Sequence, residues 1–357
     1  MCRATGRVMI YIGAFVGLSS LRILNAQRIY YVVLIALFMF CALRFEVGCD
    51  WSGYLNQFYV YKSVAFDELL KEPEPFWVGL FVLQDYLGLP YPWINIFSAA
   101  IFFGGVHLLA RRQPDPLAFL ILLFPILIIN IAMSGIRQAA ATGVLCISFI
   151  AFIDRKLVRF VLLTLLAAAL HSSAAVFLLL APLIHGAYSK TRLVLSGLVA
   201  IPVALALLST EAARTAMGRY LGTGFDAFGA QYRAALLVLT AIFFFMFLRR
   251  KWARSFPNDY KLVVIGSLMM LAAGVLVPVS SVIGDRLGYY LVPVQTMIFA
   301  RLPFLPLAAN RRLIIAAPYL GLLLVLAVWT SLSALFLQCY VPYQTWLFGF
   351  PESRYGL

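Results

Sequence analysis

Charge is what this sequence lacks. Only 12% of its 357 residues are Asp, Glu, Lys or Arg, against 63% apolar, and the mean hydropathy is +0.94. A soluble domain carries about 25% charged residues, so this chain cannot cover itself with polar surface, and a soluble enzyme is excluded. No stretch is long and polar enough to form a soluble domain. The 24 Gly and 17 Pro are scattered without a period, which excludes collagen-like repeats. The motifs GxxxxGK(S/T), HExxH, GxSxG and DxD are all missing. Nucleotide-powered transport and metal-dependent transfer from a nucleotide sugar are therefore not expected, and no metal or cofactor is predicted. Cysteine usage is equally sparse: Cys2, Cys41, Cys49, Cys146 and Cys339 are odd in number and form no CxxC. Neither a zinc site nor a disulfide framework is expected from them. Cys41 and Cys146 lie in apolar runs as packing residues, while Cys49 and Cys339 fall on one side, where they could meet.

What is present is apolar sequence in blocks. Runs from 8–21 to 313–337 predict an all-α, polytopic transmembrane helical bundle with about 11–13 spans, at about 20 apolar residues per crossing. The whole of 1–357 reads as a single integral membrane domain. Its longest polar insertion, 44–90, is an outer loop containing a half-helix at 76–89, and a second outer loop is read at 210–231. Arg3 and Arg7 before the first apolar run suit either a signal peptide or a retained span. Gly13 and Gly17 form a GxxxG, a pointer to close helix packing.

Orientation follows from the basic residues. Arg22, Arg111, Arg112, Lys261, Arg301, Arg311 and their neighbours between spans make one set of segments strongly positive, with only Asp115, Asp154 and Asp259 beside them. The other set is balanced, so the whole net charge of +14 lies on one side. By the positive-inside rule that side is cytoplasmic, and the basic excess reads as topology and contact with the lipid bilayer, not as nucleic-acid binding.

Ionisable residues against membrane spans are expensive, so each is a candidate site. Arg44 and Asp50 flank Gly48, a turn residue, and are expected to face one another; the plainer reading is an interfacial ion pair with Trp51 and Tyr54 as anchors. Glu72-Pro-Glu74-Pro-Phe76 precedes the half-helix, where helix capping accounts for much of the pattern. Arg137, beside Gln138 and close to Asn130 and Ser134, has no acid nearby in sequence and needs a distant partner or a ligand anion; snorkelling to the interface is the alternative. His171-Ser172-Ser173 breaks an apolar run. Asp285-Arg286 with Tyr289 and Tyr290, and Tyr340-Val-Pro-Tyr343, suit an aromatic belt or carbohydrate stacking.

In their order, these clusters resemble the EpsG family of Wzy-like polysaccharide polymerases: Arg44…Gly48-x-Asp50…Tyr54, Glu74-Pro-Phe76, Arg137-Gln138, Leu170-His171-Ser172-Ser173-Ala174, Arg286…Tyr290 and Tyr340-x-Pro-Tyr343. The resemblance runs from about residue 20 to residue 345; Cys49 stands where a small polar residue is expected, and 190–280 carries little signature. It implies a membrane glycosyltransferase of the C type, independent of metal and nucleotide, in the bacterial cytoplasmic (inner) membrane with its site facing outward. The substrate implied is an undecaprenyl-diphosphate-linked oligosaccharide, with a chain-length regulator and a flippase as partners. Arg137, then Arg286 and Arg44, are the expected diphosphate ligands, with Gln138, Tyr290 and Tyr343 as further substrate contacts. His171, Asp50 and Glu74 are the candidate bases. The outer loop Glu211–Gln231 is expected to contact sugars. A flippase or exporter of the same lipid-linked units, an anion transporter, a glycan ligase or a membrane acyltransferase are the competing readings.

Overall fold

A computed structural model describes residues 2–23, 27–65, 67–72, 74–186, 191, 194, 227, 229–307 and 310–353. Of the described residues 78% are helical, and none forms a strand. Among the described residues, four helices are long and apolar enough to cross a membrane: Trp93–Ala110, Ile136–Ile153, Ala230–Ser255 and Arg311–Leu332. Six shorter apolar helices accompany them, among them Tyr30–Ala42, Leu157–Leu170 and Tyr260–Leu276. Arg311–Leu332 hides only 22% of its most apolar stretch inside the protein and exposes Leu313, Leu320, Leu324 and Leu332. Apolar surface on that scale requires a lipid solvent, and the chain is a polytopic helical membrane protein. The expected run 193–209 and most of the 210–231 loop lie outside the described residues.

Two compact units divide the chain. The first comprises residues 1–144, 169–171 and 299–357. In chain order its helices are α1 (Cys2–Ile23), α2 (Tyr30–Ala42), α3 (Trp51–Tyr61), α4 (Pro75–Tyr86), α5 (Trp93–Ala110), α6 (Pro116–Leu123) and the start of α7 (Ile136–Ile153). Arg311–Leu332 and Ala334–Tyr340 complete it. Asp115 starts α6 by accepting a hydrogen bond from the Ala118 N–H at 2.9 Å, with Pro116 in the first turn. α6 then loosens into a π-helix, Phe124–Ile131, that ends just before the polar break ahead of α7. α4 has 12 residues, so at 1.5 Å per residue it is about 18 Å long, too short to cross a bilayer.

α1 is an integral part of this unit: Tyr11 is fully buried, packs edge-on against Phe336, and donates to the Tyr340 carbonyl at 2.8 Å. Among the described residues, the GxxxG on α1 meets no other helix: a methyl group at Gly13 or Gly17 would touch nothing. Close backbone packing occurs instead between α5 and α7, where a Cβ on Gly105 would run into the Gly143 carbonyl. Without a hydrophobic force between helices in lipid, such small-residue crossings let dispersion hold them.

A disulfide joins Cys49 to Cys339, the two cysteines that fall on one side and could meet, although no disulfide framework is expected from the sequence. The segment 339–346 lies along residues 43–48: Phe45 N–H donates to the Gln344 carbonyl, Trp346 N–H to that of Leu43, and Gly48 N–H to that of Cys339. Gly48 sits at φ 109°, and a Cβ there would strike the Met133 carbonyl.

The second unit comprises residues 145–168 and 172–298. Ala230–Phe243 packs on Tyr260–Leu276, and Gln295 of Ser281–Ala300 donates to Thr240 at 2.8 Å. Lys261, counted among the topology charges, donates to the carbonyls of Leu183, Ile184 and Gly186, closing the end of the 3-10 helix Ser172–Leu183. Arg233 grips Asp285 through two parallel bonds of 2.7 and 2.8 Å.

Gly48→Ala combines a steric clash with a left-handed backbone and is expected to cost about 2 kcal/mol or more. Gly53→Ala, at an open position in the first turn of α3, is expected to stabilise by about 0.5 kcal/mol. Thermal unfolding of the two purified variants in detergent checks both.

Candidate functional site

Within the first unit, three helix ends meet at one carboxylate. Glu74 stands at the N-cap of α4, yet its side chain makes no hydrogen bond to that helix. Its two oxygens go elsewhere. Oε2 accepts from Arg137 Nη1 at 2.6 Å, and Oε1 lies 2.8 Å from His171 Nδ1. The capping account of Glu74 therefore fails, and the distant acid that Arg137 lacked in sequence is found.

Each partner reaches this point because its helix breaks there. Arg137 is the second residue of α7, just after the helix break at Ser134 and Gly135. A cation in a first turn opposes the helix dipole, so Arg137 needs a nearby anion, which Glu74 supplies. His171 follows the last residue of α8 (Leu157–Leu170). Pro75 in the first turn of α4 fixes the chain that presents Glu74.

Glu74 is 9% exposed and His171 5%. Buried charge at this level requires paired lone pairs and protons. A carboxylate facing an imidazole nitrogen can only accept, so Nδ1 carries the proton and Nε2 is the basic nitrogen. The arrangement parallels the carboxylate-oriented histidine of hydrolytic triads.

Arg137 is only partly consumed. Its guanidinium lies 5.6 Å from the centre of the Tyr54 ring, while its Nε–H is buried with no hydrogen-bond partner. A guanidinium has five donors in a fixed fork, and an orphaned one beside a helix N-terminus suits an anionic oxygen. Burial raises the Tyr54 phenol above its ordinary value, with Arg137 acting in the opposite direction. Tyr54 is therefore a neutral hydroxyl at the edge of the site.

Asp50 lies in the same unit, exposed at the start of α3. Ser134 Oγ is 3.3 Å from both the Asp50 carboxylate and its N–H, so this serine pins the 48–50 turn to the break ahead of α7. The expected pairing of Arg44 with Asp50 does not form. Arg44 is 2% exposed and donates to the carbonyls of Cys41 and Val47 and to Asn95 Oδ1 at 2.7 Å. Its guanidinium holds its own turn through these bonds. Tyr343 is also structural: its hydroxyl donates to the Phe40 carbonyl and its ring stacks on Phe40 at 4.6 Å. Gln138 is buried next to Arg137, and its carbonyl accepts from Thr142.

Arg286 and Tyr290 belong to the second unit, on Ser281–Ala300. Tyr290 is fully buried, 3.0 Å from Ser173 Oγ and edge-on to Phe177. Sequence reasoning passed over Ser134 and Tyr54 as site residues, although both stand within the polar clusters that drew attention to their neighbours. Asn95 and the disulfide gave weaker signals: one buried amide in an apolar run, and two cysteines far apart.

These differences predict opposite consequences. Arg44→Ala leaves Asn95 and two carbonyls unpaired and is expected to cost about 3–5 kcal/mol, with loss of folded yield. Arg137→Ala, at a side chain 28% exposed, is expected to fold. Monodispersity and thermal midpoint after detergent extraction measure the contrast.

A family model described as the EpsG family matches residues 27–345. No curated protein and no solved structure matches the chain.

Proposed function

The chain belongs to the EpsG family of Wzy-like polysaccharide polymerases, and from that premise we propose that it joins undecaprenyl-diphosphate-linked oligosaccharide repeat units at the outer face of the bacterial cytoplasmic membrane. The observation that carries this reading is the Glu74 carboxylate shared between His171 and Arg137, with Arg137 Nε–H unpartnered.

Transfer of a glycan from a lipid diphosphate to a hydroxyl has two electrostatic demands. The acceptor oxygen must shed a proton as it bonds to the anomeric carbon. The C1–O bond breaks with its electron pair moving to the departing diphosphate. His171, held by Glu74 through Nδ1, takes the hydroxyl proton at Nε2. Arg137 stabilises the charge growing on the diphosphate, aided by the positive end of α7. Arg suits this role because it stays charged at any working pH and engages phosphate oxygens bidentately. One displacement of this kind inverts the anomeric centre. Asp50, tied to Ser134 rather than to His171, is assigned to positioning the 48–50 turn, not to proton transfer.

Two features support an outward orientation. The charge asymmetry puts the 44–90 segment opposite the basic face, and the Cys49–Cys339 bridge suits an oxidising compartment, not a reducing cytosol. A membrane-impermeant maleimide applied to whole cells is expected to label Cys49 and Cys339 only after reduction. Labelling only in lysed cells would reverse the topology.

For the chemistry, Arg137→Ala, Arg137→Lys, His171→Gln and Glu74→Gln are each expected to lower polymer yield about 10²-fold or more. Single repeat units should accumulate on the outer face. A size profile of lipid-linked and exported glycan reads this directly. Full polymer in both Arg137 variants would remove the diphosphate role. Units trapped on the cytoplasmic face of a strain lacking the protein would identify a flippase, and long but unattached polymer a ligase.

A further inference from the structure

A groove of about 550 Å³ opens in the first unit, on the side of α3 that continues away from Tyr54. Its floor is aromatic and buried: Phe45, Phe58 and Tyr91. Its walls are two exposed rings, Tyr59 on α3 and Phe350 in the tail, 54% and 55% accessible. Between them, at the rim, Lys62 and Asp85 stand 3.8 Å apart and partly exposed.

We propose that this groove binds the neutral rings of a glycan chain, as a holding subsite for the polysaccharide whose end reacts at the Glu74–His171–Arg137 site. The proposal rests on the polymerase reading for the identity of its ligand. Three observations carry it.

The first is chemical fit. A sugar ring offers an apolar C–H face and a belt of hydroxyls that both donate and accept. Exposed aromatic walls serve the first, and an ammonium beside a carboxylate serves the second. The pair is electrically balanced, which disfavours a phosphate or an anionic lipid head group as occupant.

The second is rigidity. Gln84 is fully buried and its amide donates to the carbonyls of Pro90 and Tyr91 at 2.7 and 3.1 Å, fixing the 87–92 turn that forms one edge. The Tyr91 hydroxyl donates to Trp51 at 3.0 Å. Phe350 stacks on Trp346 at 5.4 Å, within the tail that the disulfide fastens. A groove built beforehand spends little binding energy on ordering.

The third is continuity with the site. Tyr54, under the Arg137 guanidinium, touches Trp77, which touches Phe81, which touches Phe58 in the groove floor, with ring centres 5.4–6.0 Å apart. Along α3, Tyr59 and Lys62 lie about 8 and 12 Å beyond Tyr54 at 1.5 Å per residue, a reach of a few sugar rings.

The test uses the full-length protein in lipid nanodiscs and, as probe, oligosaccharides cut by mild acid from the polymer its own cells export. Saturation-transfer NMR gives the binding. Wild type is expected to saturate the sugar ring protons. Tyr59→Ala combined with Phe350→Ala should weaken affinity about five-fold or more, and Tyr86→Ala, an exposed aromatic outside the groove, should not. Lys62→Met with Asp85→Asn is a second variant that spares both rings and should weaken binding likewise.

In cells, the ring variant is expected to yield shorter chains while repeat units are still joined. Absent saturation in wild type, or equal saturation in both groove variants, overturns the subsite. Shorter chains with unchanged glycan binding also overturn it and give the groove to a protein partner. Binding measured in the Arg137→Ala protein separates the two ideas. Groove binding there, with polymer still made, would refute the catalytic assignment and leave the subsite standing.

Discussion

An ionised carboxylate withdrawn from water inside a membrane protein must have its lone pairs taken, and at Glu74 they are taken by a guanidinium and an imidazole. Glu74 lies 63 residues from Arg137 and 97 from His171, and each of the three sits at a helix end. The breaks in α-helical structure before Glu74, before Arg137 and after Leu170 therefore act as one design: three interrupted helices deliver three charged or polar groups to one point. Removing the carboxylate would leave a guanidinium half-buried without its anion and an imidazole without a fixed tautomer. Close packing in the same unit, including the α5–α7 crossing at Gly105 and Gly143, leaves these helices little room to shift.

Much of this architecture was legible in the chain. Composition alone specified lipid as solvent, and the polar interruptions at 134–138 and 171–173 marked where helices stop. Glu74, Arg137 and His171 each stood out as costly residues. What the chain could not show is that they meet, because contact across 63 or 97 residues is a property of packing and leaves no local period. Where two explanations competed locally, the structure chose by hydrogen-bond accounting. Glu74 sits where a cap would, but its oxygens have better partners. Arg44 stands near an acid in sequence, yet the backbone carbonyls around it and Asn95 are nearer in space and also need donors.

The same accounting explains the charges read as topology. Lys261 satisfies three carbonyls at a helix end, and Arg301 is buried against Gln113 at 2.8 Å. A positive residue can thus mark the cytoplasmic side in the count while its side chain serves a local backbone need. GxxxG failed for the opposite reason. Two glycines on one helix face permit close approach but do not supply the partner helix, whereas Gly105 and Gly143 are unremarkable in sequence and meet face to face.

The bridge between Cys49 and Cys339 spans 290 positions and ties the turn carrying Gly48 and Asp50 to a segment synthesised long after it. During membrane insertion that turn has no partner: Gly48 N–H, Phe45 N–H and the Cys49 thiol all wait for residues 339–344. Assembly of the site is thereby ordered in time. A chain cut short before residue 339 lacks the clasp for this turn, so the segment that carries Gly48 and Asp50 is left without its disulfide and backbone partners.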